Sequence, residues 1–209
     1  MADSPAVRLE GLSKSFGEHA AVRELSLSVP RGCVYGFLGP NGSGKTTTLR
    51  LILHILLPDS GSVEVFGAAG SRAANDRIGY LPEERGLYKK MEVGRQLEYL
   101  LALKGVPAAR ARGLVTSWLE RFGLASWADE KVETLSKGMS QKVQFIAAVA
   151  AEPDLVVLDE PFSGLDPVNQ EVLREAILEL KRRGTTVILS THDMAAAEEM
   201  CDFVCMIHR

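Results

Sequence analysis

Eight consecutive residues carry the most specific chemistry in the chain: Gly39-Pro40-Asn41-Gly42-Ser43-Gly44-Lys45-Thr46. Their spacing, G-x-x-x-x-G-K-[S/T], is that of a loop that cradles phosphates. Gly39, Gly42 and Gly44 let backbone amides turn toward one point with no Cβ in the way. A helix starting at the loop adds the positive end of its dipole. Lys45 is then placed to bridge the β- and γ-phosphates of a nucleotide, and the Thr46 hydroxyl to ligate Mg²⁺. Asn41, Ser43 and Thr47 complete the set expected around the phosphates. The plain alternative is a glycine-rich turn that happens to precede a helix. The buried strand before it, Cys33 to Leu38, and the helical pattern after it favour the phosphate loop.

A second cluster matches the first. Leu155-Val156-Val157-Leu158 is an apolar strand that ends in Asp159-Glu160. It delivers Asp159 to the Mg²⁺ side of the same pocket. Glu160 follows at the strand's end and can face the γ-phosphate, where a carboxylate can orient and deprotonate a water. Alone, the pair could be two charges closing a buried strand. Beside a phosphate loop it reads as the catalytic half of the site.

The elements that must hold these residues are legible in outline. Val7, Leu9, Leu12 and then Val22, Leu25, Leu27, Val29 alternate with polar residues, the period of half-buried strands. After the phosphate loop, Leu49, Leu51, Ile52, Ile55 and Leu56 mark a helix that Pro58-Asp59-Ser60-Gly61 ends, and a strand follows over Ser62 to Phe66. From about Met91 to Ala151 the pattern is helical. Strands resume at Leu155–Leu158, Thr186–Leu189 and Phe203–Ile207, with helices over 168–183 and 194–200. Such alternation implies a mostly parallel sheet with covered faces. The expected fold is α/β: a phosphate-loop NTPase core, an N-terminal antiparallel β part and an inserted helical subdomain. Residues 1–209 form one domain, with the core over about 1–86 and 140–209 and the insert over about 87–139. The chain stops just after a strand, which points to truncation at the C-terminus.

Composition excludes several classes. The 209 residues carry 24 Lys+Arg against 27 Asp+Glu, a net charge of −3, which offers no strongly basic surface for nucleic acid. Three cysteines do not make a disulfide scaffold and suit a reducing cytosol. No apolar stretch approaches the roughly 18–20 residues of a membrane span, and the first eight residues are too polar and short for a signal peptide.

Leu135-Ser136-Lys137-Gly138-Met139 lies about ninety positions after Lys45 and shortly before Asp159-Glu160. With it the whole chain resembles the ATP-binding subunit of ABC transporters, whose signature is LSGGQ in its commonest form. The resemblance implies ATP and Mg²⁺ as ligands. It implies an adenine stacked on Phe16, a D-loop at Ser163-Gly164-Leu165-Asp166, and a switch histidine at His192 that contacts the γ-phosphate. Lys45, Glu160 and His192 are then the catalytic residues. Glu83, in the segment Tyr80 to Tyr88, stands where most relatives have a glutamine near Mg²⁺, which gives Thr46, Glu83 and Asp159 as the metal set. Glu83 together with LSKGM is similar to the branch that exports sodium, drugs or antibiotics. In that setting Lys137 favours the phosphates electrostatically, and Met139 loses a possible ribose hydrogen bond.

Gly138 opens a helix, whose N-terminus is an anion site, but on the insert, far from the chain's own phosphate loop. Ser136 and Gly138 are therefore expected to complete the site of a second ATP-binding subunit, in a homo- or heterodimer that sandwiches two ATP molecules. The expected partner is a membrane-embedded permease docking near Glu83 to Gln96. The protein would be cytoplasmic, peripheral on the inner face of the plasma membrane, with membrane contact only through the permease. The alternative is a soluble ABC ATPase acting on ribosomes or DNA, but neither fused cassettes with basic linkers nor a long coiled-coil insertion is present. A non-catalytic regulator is disfavoured by intact Lys45, Asp159, Glu160 and His192. The remaining residues read structurally: Trp118, Trp127 and Cys33 as packing, His19 and His54 as ordinary histidines, and Arg110, Arg112 and Arg121 as a solvated helix face. Cys201, Cys205 and His208 lack zinc spacing and a fourth ligand.

Overall fold

The chain opens with a long antiparallel hairpin. β1 (Val7–Phe16) pairs with β2 (His19–Val29), with Val7 opposite Val29 and Phe16 opposite His19. Val7, Leu9 and Leu12 are buried while Arg8 and Glu10 are exposed, the pattern of a sheet covered on one face. β4 (Ser60–Val65) joins the other edge of β1, and β5 (Ala68–Ala69) pairs with β4. The computed structural model describes residues 4–69, 76–84 and 86–208, so the first three residues and Arg85 of the Tyr80–Tyr88 segment lie outside it.

The second sheet is parallel. β3 (Val34–Leu38), β6 (Ile78–Leu81), β7 (Leu155–Asp159), β8 (Thr186–Thr191) and β9 (Phe203–Met206) lie in the order β6-β7-β8-β3-β9. Every residue of β3, β7 and β8 is buried, which is why they read as unbroken apolar runs. Leu38 pairs with Thr191, and Asp159 with Ser190. The three strands therefore end at one level, and the phosphate loop, the carboxylate pair and His192 leave the same edge. Parallel sheets bind ligands at that edge.

Helix α1 (Lys45–Ile52) follows the phosphate loop. Between β6 and β7 come α2 (Val93–Leu103), α3 (Ala108–Arg121) and α4 (Lys137–Val149). α5 (Pro167–Arg182) and α6 (Met194–Met200) connect the last strands. Three of these helices have side-chain caps. Ser136 accepts from the Met139 amide, Asp166 from Asn169 and Asp193 from Ala196, each satisfying an amide that has no partner within its helix. No helix among the described residues is long and apolar enough to cross a membrane.

Two apolar clusters cover the two faces of the parallel sheet. Leu9, Phe37, Leu49, Ile52 and Val157 join the antiparallel sheet, α1 and one face. Leu97, Val115, Phe122 and Phe145 join α2, α3 and α4 to Val156, Leu158 and Leu189 on the other. Trp118, Phe122 and Phe145 are in mutual ring contact at 5.6–6.3 Å, the packing role expected of Trp118.

The fold departs from the sequence reading at several places. α1 stops at Ile52 rather than at Pro58: His54 takes φ 53°, Leu56 packs on the core, and Ile55 and Leu57 face out. Only Leu53 and Leu56 of that run fold back on the core, so its apolar residues do not mark one helical face. β6 had no clear strand signal, being four residues long with Gly79 inside; a Cβ at Gly79 would lie 2.0 Å from the Ala148 carbonyl. Helix α4 begins at Lys137, one residue before Gly138. Cys33 is buried but precedes β3. Arg110 and Arg121 are not merely solvated: they pair with Glu152 and Glu179, the latter at 2.7 Å, and tie α3 to the core elements, while Arg112 is exposed.

Candidate functional site

The phosphate loop is shaped by what its glycines leave out. Gly44 has φ 101°, and a Cβ there would lie 2.2 Å from the Ala21 carbonyl. A Cβ on Gly39 would lie 2.3 Å from the Ile207 carbonyl and 2.8 Å from Ser43 Oγ. The loop is thus pressed between β2 and the chain after β9, and only glycine fits. Lys45, the first residue of α1, is buried. Its Nζ donates to the carbonyls of Gly39 (2.7 Å) and Pro40 (3.2 Å) and lies 3.4 Å from Glu160 Oε1.

Asp159 is fully buried at the end of β7. Its Oδ1 accepts from Ser190 Oγ (2.5 Å) and Thr46 Oγ1 (3.2 Å), while Oδ2 is buried with no partner among the described residues. Burial raises its pKa, against the lowering effect of the Ser190 and Thr46 hydrogen bonds. A buried carboxylate that is reluctant to be charged, with one free oxygen beside a threonine hydroxyl, is a donor set that fits a hard dication such as Mg²⁺.

Glu160 turns out of the strand in the left-handed region, with φ 48°, which is costly for a residue with a Cβ. Its amide holds that kink by donating to the Ser190 carbonyl (3.2 Å) and to Ser190 Oγ (3.0 Å). The kink brings its carboxylate to Lys45 and to His192, whose Nδ1 lies 3.0 Å from Oε2. Ser190 therefore braces both acids. The sequence reading missed it; its one signal is a hydroxyl at the end of an apolar strand directly across from Asp159.

A cavity of about 380 Å³ gathers the predicted residues. Phe16, Asn41, Gly42, Gly44, Lys45, Thr46, Thr47, Glu83 and Glu160 line it. His19 lines it too, opposite Phe16 across the β1–β2 turn, so the ordinary reading of His19 gives way to a place at the site. Ser43, within the loop, is buried, and its Oγ has no partner among the described residues. Asp159 stands behind Thr46, and His192 beyond Glu160.

Ser136 and Gly138 do not line that cavity. They sit at the start of α4 against the segment after β7: a Cβ on Gly138 would lie 3.6 Å from Leu165 Cδ2. Lys137 lies over Gly164, with Cε 2.5 Å from where that residue's Cβ would be. Within one chain its side chain therefore lies against the 163–166 loop, and Met139 packs toward the core.

Together the groups can hold a polyphosphate, place a cation against it and set a carboxylate where it could take a proton from water. Comparison with known proteins agrees with this geometry. The family described as "ABC transporter" matches residues 22–163. An uncharacterised ABC transporter ATP-binding protein of Bacillus subtilis, YhaQ, is 47% identical over 96% of this chain and 67% of its own length. The Nod factor export ATP-binding protein I of Ralstonia nicotianae is 38% identical over 98% of this chain and 64% of its own. The chain thus spans about two thirds of these relatives. A solved ATP-binding subunit of an ABC transporter superposes with a TM-score of 0.90 at 30% identity, over 97% of this chain and 86% of that one.

Proposed function

This chain belongs to the ABC transporter family as an ATP-binding domain, and from that premise we propose that it powers an export permease by hydrolysing ATP in a shared dimer. The observation that carries the reading is the convergence of Lys45, Thr46, Asp159, Glu160 and His192 on one edge of one sheet. Phe16 stacks on adenine, the loop amides from Gly39 to Thr47 take the phosphates, and Lys45 leaves its carbonyls and Glu160 for the γ-phosphate. Thr46, Asp159 and Glu83 would hold Mg²⁺, which when bound neutralises charge on the β- and γ-phosphates. Glu160 accepts a proton from the attacking water as the water oxygen bonds to the γ-phosphorus and the bond to the β-phosphate oxygen breaks. His192 orients Glu160 and faces the γ-phosphate. The division into a core (about 1–86 and 140–209) and a helical insert (about 87–139) belongs to the same reading.

Ser136 and Gly138 lie away from the cavity, which supports their serving a second copy's ATP. Permease docking is supported by a mainly apolar groove of about 300 Å³ between β6 and the helices, lined by Tyr80, Leu87, Leu100, Leu103, Gln144 and Ala147. Exposed Tyr88 and Tyr99 meet edge to face beside it. Through that contact the protein would sit on the inner face of the membrane. The export direction is supported by the name of the Ralstonia relative and by Glu83 with Lys137 and Met139.

Mixing Lys45→Ala chains with Ser136→Arg chains tests the shared site. A mixed dimer has one doubly defective site and one intact site, so hydrolysis should reappear that neither chain shows alone. A Glu160→Gln chain that stays monomeric in saturating ATP by light scattering, while the wild type hydrolyses at full rate as a monomer, would refute it.

A further inference from the structure

The turn Pro58-Asp59-Ser60-Gly61 does more than separate a helix from a strand. Asp59 Oδ1 accepts from Lys14 Nζ and Oδ2 from the Ser15 amide, both at 2.7 Å. The Asp59 amide donates to the Ser13 carbonyl at 2.9 Å. One residue thus grips the three positions that immediately precede Phe16. The turn comes this close because Gly61 has no side chain: at φ 85°, a Cβ there would lie 2.4 Å from the Gly11 carbonyl.

The grip matters because the strand ladder is irregular on this stretch. β1 shifts register against β2 between Leu12 and Lys14 and again between Lys14 and Ser15, and against β4 between Glu10 and Ser13. A strand end with such irregularities bends and twists more than a regular one, so contacts beyond the Ser15–Ala20 and Phe16–His19 pairs bear on where Phe16 points. Phe16 itself is half exposed and cannot be held by burial. The Lys14 amine that pairs with Asp59 also lies 5.8 Å from the centroid of the Phe16 ring, within reach of a cation–π contact. The hydrogen bonds from Lys14 and then from the Ser15 amide hold the Asp59 carboxyl below its ordinary range, so it stays charged at neutral pH. Asp59 does not itself line the nucleotide cavity.

We propose that Asp59 is a positioning residue for the base site, fixing the end of β1 so that the Phe16 ring is presented as the platform for adenine. The inference rests on the reading of Phe16 as that platform. Binding of ATP and of inorganic tripolyphosphate, each measured by calorimetry with Mg²⁺, tests both. Asp59→Ala lowers ATP affinity about two- to tenfold, the scale of one ordinary hydrogen bond. It leaves tripolyphosphate affinity unchanged, because the Asp59 contacts go to Ser13, Lys14 and Ser15 rather than to the phosphate loop. Asp59→Asn, which can still accept from the Ser15 amide, falls between wild type and Asp59→Ala. In a Phe16→Ala background, Asp59→Ala has no further effect on ATP. Equal losses for ATP and tripolyphosphate would mean general damage to the fold and would overturn the proposal. So would a loss that persists undiminished in the Phe16→Ala background, or unchanged ATP affinity in Asp59→Ala where Phe16→Ala weakens it. If Phe16→Ala itself leaves ATP affinity untouched, the platform reading fails and the role of Asp59 falls with it.

Discussion

Lys45 and Glu160 face each other at 3.4 Å, with side chains only 6% and 10% exposed. In the proposed reading, the cation that meets the γ-phosphate and the carboxylate that takes the water's proton are here each other's partner. On that reading ATP would draw Lys45 away, and doing so would free Glu160 for its proposed task. His192 Nδ1 lies 3.0 Å from the same carboxylate.

Replacing Glu160 by Gln separates those two roles. ATP binding should persist or tighten, since Lys45 loses a competitor. Turnover should fall roughly 10²–10⁴-fold, the usual weight of a general base. Phosphate release and calorimetry on the same preparation measure both. Near-normal hydrolysis would remove Glu160 from the mechanism.

Two glycines should respond in opposite directions. Gly44→Ala drives a Cβ to 2.2 Å from the backbone carbonyl of Ala21, at a φ that side chains avoid, so nucleotide binding and melting temperature should both drop. Gly113 lies within α3, with open space around its missing Cβ. Gly113→Ala should stabilise the protein by about 0.5–1 kcal/mol through helix propensity. Chemical denaturation of the two variants beside wild type is the check.

Ser136→Asp tests the start of α4. Aspartate caps helices as well as serine does, so the melting temperature should hold. A negative charge where a second copy's phosphates would approach should abolish the ATP-driven dimer and its hydrolysis. A variant that is stable and fully active would place the phosphates elsewhere.

Asp202 links stability to pH. Burial alone would raise its carboxyl, but hydrogen bonds from Lys181 (2.5 Å) and the Val34 amide (2.9 Å) outweigh it, and the group titrates below the usual carboxylate range. A lowered folded pKa means stability present above the unfolded value of about 4 and lost as pH falls toward the folded one. Wild type should therefore melt above Asp202→Asn at pH 7, and the gap should narrow as pH falls below about 4. A gap that stays constant from pH 7 to pH 3 would contradict the assignment.

What the sequence disclosed and what it hid follow from locality. The phosphate loop and the Leu155–Glu160 strand were legible because spacing within one segment dictates their chemistry. β7 and β8 were legible because a fully buried strand must be apolar throughout. Ser190 was not, since its value comes from standing across the sheet from Asp159, and that depends on register. β6 was hidden because its glycine, needed to let the Ala148 carbonyl approach, breaks the strand pattern. The early end of α1 was hidden because the apolar run continues through Leu57, although His54 turns the chain at φ 53° and leaves Ile55 and Leu57 exposed. Asp59 looked like turn punctuation, and its contacts with Lys14 and Ser15 cross more than forty residues of sequence.

The apolar cluster that unites α2, α3 and α4 with Val156, Leu158 and Leu189 has a mechanical consequence. A body that shares its interior with the sheet cannot swing on a free hinge, because that would open a dry core to water. Any movement between these helices and the sheet must instead be a short slide of packed surfaces, like plates kept in contact. Such a slide is stiff and small in amplitude. If a permease docks at the apolar groove by β6 as proposed, a pull there would reach the edge that carries Lys45 and Glu160 as a displacement rather than as loosening.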